Sequence, residues 1–429
     1  MARATDPIGV AAFEGGFALP SGEPGWLTAF RGAGAARFRE VGLPTNRDEA
    51  WKYTSLRPLA RAKYEQVDAL AEGAAIPKPL IAGAAQAVFV NGRLNADLSD
   101  LDGLDAAVQP WARVATAQWL ADTVTANPPN QAMYALNAAA FTDGLAIRVE
   151  AGSALARPLE IVFLAAPGAR PRMWHPRLAI DLAPNARALI LERHIGLEDG
   201  AYLANHGADI RLGDGAVLVH AKIQTEAKDA RHLAMTRVDV GRNALYDNFV
   251  LTLGAGLCRN EAAVSLSGTK SEVRLNGAYA IDGRQHADHT SRIDHLAEDT
   301  RSRQVFAGAI DGQARGVFQG QIVVDRLAQR TDGHQLNRAL LLSDQAEIDA
   351  KPILEIYADD VKCSHGATAG DIDDDQLFYL RARGIPAVQA RQLVVRGFLA
   401  EAAAGLSDET VRTVILDAID GALGLEIAS

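Results

Sequence analysis

Ala208-Asp-Ile-Arg-Leu212, Gly213-Asp-Gly215 and Ala216-Val-Leu-Val-His220 follow one another without a break. Residues 208, 210 and 212 are apolar while 209 and 211 are charged, the period-two signature of a half-buried strand. Gly-Asp-Gly supplies turn residues before a second strand begins. The same reading extends outward. Leu145, Ile147 and Val149 alternate with Ala146, Arg148 and Glu150; Leu178, Ile180 and Leu182 repeat the pattern, Pro184-Asn185 turns the chain, and Ala188-Leu-Ile-Leu-Glu192 follows. Further breaks fall at Gly241-Arg-Asn243, Gly254-Ala-Gly256, Gly268-Thr269 and Gly283-Arg284. Short strands divided by turns from Leu145 to about Ala367, without intervening helices, imply a β-sandwich, barrel or solenoid. Strand follows strand with little sign of long hairpins, which favours a β-helix-like solenoid. Turn spacing is too uneven to define a repeat period.

This core divides the chain into residues 1–143, mainly helical; 144–368, the β core; and 369–429, helical again. The first region holds the small-residue stretch Gly32-Ala-Gly-Ala-Ala36, a loop near Asn127-Pro-Pro-Asn130 and a short strand at Ala87-Val-Phe-Val-Asn91 ahead of Gly92. In the last region Asp373 with Gln376 has capping-box spacing, and Gly384 with Pro386 closes that helix. Ala387, Ala390, Val394 and Phe398 share one face of a second helix. Ser407 is placed to cap a third, in which Val411, Val414, Ile415, Ala418 and Ile419 form an apolar stripe. These helices are expected to cover the open end of the solenoid or to present a partner surface.

The 429 residues carry 43 Lys plus Arg against 53 Asp plus Glu, a net charge of −10, which argues against nucleic acid as the main partner. Two cysteines, Cys258 and Cys363, are too few for a secreted disulfide framework and fit reduced thiols. Met1–Val10 lacks the apolar core of a signal peptide, and no run of about 18 apolar residues suggests a membrane span. A cytoplasmic location is the expectation. The dipeptide Gly-Lys does not occur, so the phosphate cradle of a P-loop ATPase is missing; Cys-x-x-Cys and His-Glu-x-x-His are missing too. Two cysteines cannot supply four thiolates to a cluster within this chain.

Two constellations remain. His286, His289 and His295 lie close together beside Asp288 and Asp294. On a strand, 286 and 289 face opposite sides, so a metal pair there requires a loop; the alternative, which we favour, is a polar edge or interface with hydrogen-bonded imidazoles. Cys363 and His365 are two apart, which on a strand puts thiol and imidazole on one face. Both are ligands for iron, and the pair is also compatible with a small buried thiol and a satisfied imidazole at a strand end, the reading that spacing alone favours. Lys362 could lower the thiol pKa if it lay close, but a lone strand lysine usually points to solvent. Asp48-Glu-Ala-Trp-Lys-Tyr-Thr54 places two aromatics among charges, a pattern that more often anchors a fold than forms a site.

At Asn46-Arg-Asp-Glu-Ala-Trp-Lys-Tyr-Thr54, Leu136–Gly144, Ser291-Arg-Ile-Asp-His295, Asp311–Gly320, Leu340–Asp344, Glu347–Pro352, Leu354–Thr368 and Leu377–Gly384 the chain resembles the SufB/SufD family of iron–sulfur cluster assembly proteins. Ser364 and Gly366 flank His365 where SufB carries glutamates, so the resemblance is to the SufD branch. It implies a right-handed parallel β-helix core flanked by N-terminal and C-terminal helical regions. It implies a non-enzymatic scaffold of the SUF system, pairing with a SufB-like paralogue and binding a SufC-like ATPase through its C-terminal helices. ATP would be bound by that ATPase and not by this chain. Hydrolysis there would open an interface at which His365, with Cys363 in support, ligates iron or a transient iron–sulfur cluster. An edge built for pairing leaves a homodimer open when the chain is alone. A purely structural partner without a ligand is one alternative; a polysaccharide-active β-helix enzyme is another, and activity on polyuronides would distinguish it.

Overall fold

A computed structural model describes residues 7–17, 21–66, 76–125, 131–166 and 171–425. The loop expected at Asn127–Asn130 lies outside them. The alternating segments form strands of two parallel sheets, and the chain passes from one sheet to the other at every turn, giving a parallel β-solenoid of about 7 turns. Sheet A runs through Arg177–Leu182, Tyr202–Leu212, Arg231–Val240, Leu257–Leu266, His286–His295, Arg315–Val324 and Glu347–Ile356. Sheet B runs through Arg187–Gly196, Val217–Thr225, Leu245–Thr252, Glu272–Ile281, Arg301–Ile310, Thr331–Leu341 and Val361–Gly370.

The uneven turn spacing has a simple cause. In sheet B, Val217 pairs with Leu245, Leu245 with Glu272 and Arg301 with Asp332, steps of 28, 27 and 31 residues. Strands stay in register while the turns absorb the differences. Inward positions alternate with outward ones, so Ile180, Leu182, Ile210, Leu212, Val238, Val240, Leu218 and Val273 stack in one buried ladder. Each such side chain contributes about 1.5–3 kcal/mol on leaving water.

The outward faces are covered differently. Helices Gly25–Val41 and Ala132–Ala140 pack on sheet A through Phe30, Phe38, Tyr134 and Leu136 against Leu203, Leu233 and Met235. Gly34 explains the small-residue stretch: a Cβ there would lie 2.8 Å from Ala135 O, so only glycine lets these two helices approach. Beneath them Arg177 is wholly buried, donating to Asn137 Oδ1 at 2.6 Å and to Tyr134 Oη at 2.5 Å, and pairing with Asp209. The strand expected near Ala87 is Ala85–Val90, and it extends sheet B by pairing with Leu159–Ala165.

The C-terminal helices are Asp374–Ala382, Ala387–Ala403 and Glu409–Ala422. Asp373 caps the first, accepting from Asp375 N at 2.9 Å, and Gly384 ends it at φ +87. Two expectations need correction. The buried face of the second helix is Ala390, Val395, Leu399, Ala402 and Ala403, while Ala387 is exposed; Val394 and Phe398 are half-buried, because they line a cleft with Tyr379 and Leu380 of the preceding helix. Asp408, not Ser407, caps the third helix, accepting from Val411 N at 3.0 Å; Ser407 N instead donates to Asp247 Oδ2 at 2.7 Å. The stripe itself is as read, with Val411, Val414, Ile415 and Ile419 buried and Ala418 partly so. These helices lie on the outer face of sheet B, against Val219, Ala221, Phe249, Leu251 and Ala307. They do not cover the end of the solenoid, because the apolar surface they need is the flank.

Among the described residues, no helix is long and apolar enough to cross a membrane.

Candidate functional site

The last strand of sheet B, Val361–Gly370, pairs with Thr331–Leu341 on one side only and ends its sheet order. The last strand of sheet A, Glu347–Ile356, likewise pairs only with Arg315–Val324 along its ladder. Both strands are exposed or half-buried along their length. An edge of this kind offers unpaired backbone groups to another chain.

Cys363 and His365 stand on that edge. They are two residues apart within one strand, as the spacing required, and share the inward-facing side. Cys363 is half-buried against the cluster of Ile322, Val324, Ala328 and Ala358, whereas His365 is exposed. Cys363 lies beside Gly333 and His365 beside Gln335 in the neighbouring strand. A Cβ on Gly333 would meet Ser302 Oγ at 3.2 Å and both Cys363 Sγ and His295 Nε2 at 3.6 Å, so the glycine leaves room for these groups to converge. Burial pushes the Cys363 thiol up, with the Asp332 charge adding to the effect. Lys362 is exposed on the opposite side and does not offset this. The imidazole is therefore the readier ligand of the two.

On the outward face Ser364 Oγ lies 2.5 Å from His334 Nδ1, and His334 Nε2 lies 2.7 Å from Asp332 Oδ1. Arg303 Nη2 donates to Asp332 Oδ2 at 2.9 Å. This chain pins the edge strand to its two inner neighbours. The sequence reading did not find it, because 332, 334 and 364 meet only through parallel register.

The cluster His286, His289 and His295 lies on a central strand, His286–His295, not at an edge. His286 and His289 point to opposite faces. His286 Nε2 is 2.9 Å from Thr54 Oγ1, which also donates to Asp288. His295 is held by Thr300 Oγ1 at 2.7 Å and Ser302 Oγ at 2.9 Å. His289 sits inside, between the Tyr279 and Phe306 rings, and burial pushes it down to about 4. The hydrogen-bonded reading holds for His286 and His295; the surface edge does not, since later strands cover this one. The Asn46–Thr54 segment is an anchor: Trp51 is buried under the Arg259 guanidinium at 3.9 Å, and Ala50 O accepts from Gln319 Nε2 at 3.1 Å.

Comparison with known proteins agrees with this architecture. The family model described as "SUF system FeS cluster assembly, SufBD core domain" matches residues 163–398. The chain is 32% identical over 395 residues to the iron–sulfur cluster assembly protein SufD of Escherichia coli, covering 88% of each. It is 32% identical over 378 residues to an iron–sulfur cluster assembly SufBD family protein of Synechocystis, 84% of this chain and 83% of that one. A SufBD family protein of Mycobacterium leprae is 28% identical over 386 residues, 88% of this chain and 90% of its own. The chain thus belongs to the SufBD family of iron–sulfur cluster assembly proteins and is a homologue of SufD.

Proposed function

We propose that this chain is a non-catalytic, cytoplasmic scaffold subunit whose open edge pairs with a SufB-like paralogue. A nascent iron–sulfur cluster, the cargo of the system, is ligated at that junction by His365, with Cys363 in support and the remaining thiolate and carboxylate ligands from the partner. The observation that carries this reading is an exposed imidazole two residues from a thiol, on one face of a strand with an unpaired edge. Two ligands are too few to hold a cluster alone, and an open edge is where a second chain can add the rest.

His365→Ala is expected to leave partner assembly intact and to abolish cluster maturation, read by anaerobic reconstitution of the co-purified complex. Unchanged maturation would favour a purely structural partner.

The C-terminal helices are proposed to carry the ATPase contact, with ATP bound by that SufC-like partner. Phe378, Tyr379 and Val388 are exposed at 74%, 56% and 71%, an apolar surface beside the helices that grip sheet B. Deleting the region after Gly370 would strip the cover from Phe249 and Leu251 and confound binding with unfolding. Phe378→Asp is the cleaner variant: it is expected to abolish co-purification of the ATPase while the circular dichroism stays unchanged. Retained binding would refute the placement.

A further inference from the structure

The interior is not apolar throughout. Near its N-terminal end, three histidines from three strands meet: His194 from sheet B, and His206 and His232 from adjacent strands of sheet A. All occupy inward positions and all are buried. Their ring centroids lie 4.5, 4.7 and 5.1 Å apart, and one ring nitrogen from each lies within 4.8 Å of the others. His194 Nδ1, His206 Nε2 and His232 Nε2 have no hydrogen-bond partner among the described residues. Two of the rings also lie against carboxylates: His194 Nε2 is 3.0 Å from Glu192 Oε2, and His232 Nδ1 is 2.7 Å from Glu226 Oε2, a close contact without hydrogen-bond geometry. Phe163 stacks on His194 and meets His206 edge-on, both at 4.7 Å.

Each ring thus leaves at least one nitrogen unsatisfied in a desolvated interior, which is costly, and a cation held between them would satisfy all three at once. A carboxylate behind a histidine is the usual support of a metal ligand, fixing its tautomer and raising its basicity. Zinc–nitrogen bonds of about 2.0–2.1 Å in a tetrahedral shell put ligand nitrogens roughly 3.4 Å apart, against a separation of at most 4.8 Å here. Cys258 is in register with His232 on the next strand, but its Sγ is engaged by Asn260 Nδ2 at 3.3 Å and by Thr252 Oγ1 at 3.9 Å, so the donors are the three nitrogens.

We propose that His194, His206 and His232 bind one divalent transition ion of the zinc class inside the solenoid, at the end opposite His365. It is a resident site, separate from any cluster assembled at the open edge.

Because the site is enclosed, the test loads metal during folding. The full chain is refolded from denaturant with Zn2+ or Co2+, desalted, and its metal content measured. One ion per chain is expected in the wild type and in His365→Ala, with visible ligand-field bands for Co2+, and a near-complete loss of that ion in His206→Gln. Wild-type protein that retains no ion, or a folded His206→Gln variant that retains as much as wild type, overturns the proposal; the first result would leave an ordered water between the rings. Should His206→Gln fail to fold, X-ray absorption on the wild-type zinc protein decides. Imidazole scattering from three ligands supports the site, and a sulfur shell at about 2.3 Å refutes it. Since His365→Ala is expected to retain the ion, failure here is distinguishable from failure of the scaffold reading.

Discussion

The two ends of the solenoid are built on opposite plans. At the first end, each sheet is stopped by the chain itself: Arg93–Leu94 runs antiparallel to Ala85–Val90, and Val108–Pro110 runs antiparallel to Gly144–Val149. Leu104 and Val108 are buried against the interior ladder, and all of Ala85–Val90 is buried. At the last end, Glu347–Ile356 and Val361–Gly370 have no further strand among the described residues and no fully buried position. Reversing strand direction is an effective stop, since the reversed segment is short and cannot continue the coil. The difference teaches that this chain spends its apolar residues on closing one end and leaves polar, ligand-capable residues on the other.

That contrast can be broken by mutation. Arg177→Ala, beneath the N-terminal helices, strands the buried Asp209 charge and is expected to cost about 3–5 kcal/mol in urea unfolding. Phe89→Ala, at the closed end and stacked on Phe163 at 4.9 Å, should cost about 3–5 kcal/mol by the same measurement. Acid sharpens the comparison midway along the coil. Burial holds His289 and His295 at about 4, against about 6.5 in the unfolded chain. Between those values the unfolded state binds more protons, so stability is expected to fall as pH drops from about 6.5 to about 4. His289→Asn should reduce that slope by about one proton, read from urea midpoints across the range. At the open end Tyr357, 60% exposed, should tolerate Tyr357→Ala within about 0.5 kcal/mol; a cost like that of Phe89→Ala would mean the two ends are alike after all.

Much of the fold was legible because a strand buried on one face must alternate. Leu178-Ala-Ile-Asp-Leu182 and its counterparts could be read without neighbours. The coil step could not, since 27-residue and 31-residue steps conceal the repeat while preserving register. Nor could the resting place of the C-terminal helices be read, because an apolar stripe such as Val411-Val414-Ile415 states that something is covered and not what. At the edge, the spacing of Cys363 and His365 gave a shared face; their unequal burial came only from the packing of Val324 and Ala328. The triple-histidine cluster was missed for a topological reason: 194, 206 and 232 are 12 and 26 positions apart and meet only when parallel coils stack. One signal was available. Glu192 and His194 continue the inward parity of Ala188 and Ile190, and polar residues at inward parity mark an interior that is not merely filled.

The helix Ala387–Ala403 lies across strands Glu272–Ile281 and Arg301–Ile310. It is also bolted to the strand beside the edge: Arg391 Nη2 donates to Leu342 O at 2.6 Å, and Arg338 pairs with Glu401. The exposed Phe378 and Tyr379 stand on the preceding helix, Asp374–Ala382, which follows the strand that holds Cys363 and His365 by three residues and is joined to Ala387–Ala403 by the turn at Gly384. A partner that docks on those rings therefore sits at the root of the ligand-bearing strand, while the longer helix anchors the strand beside it.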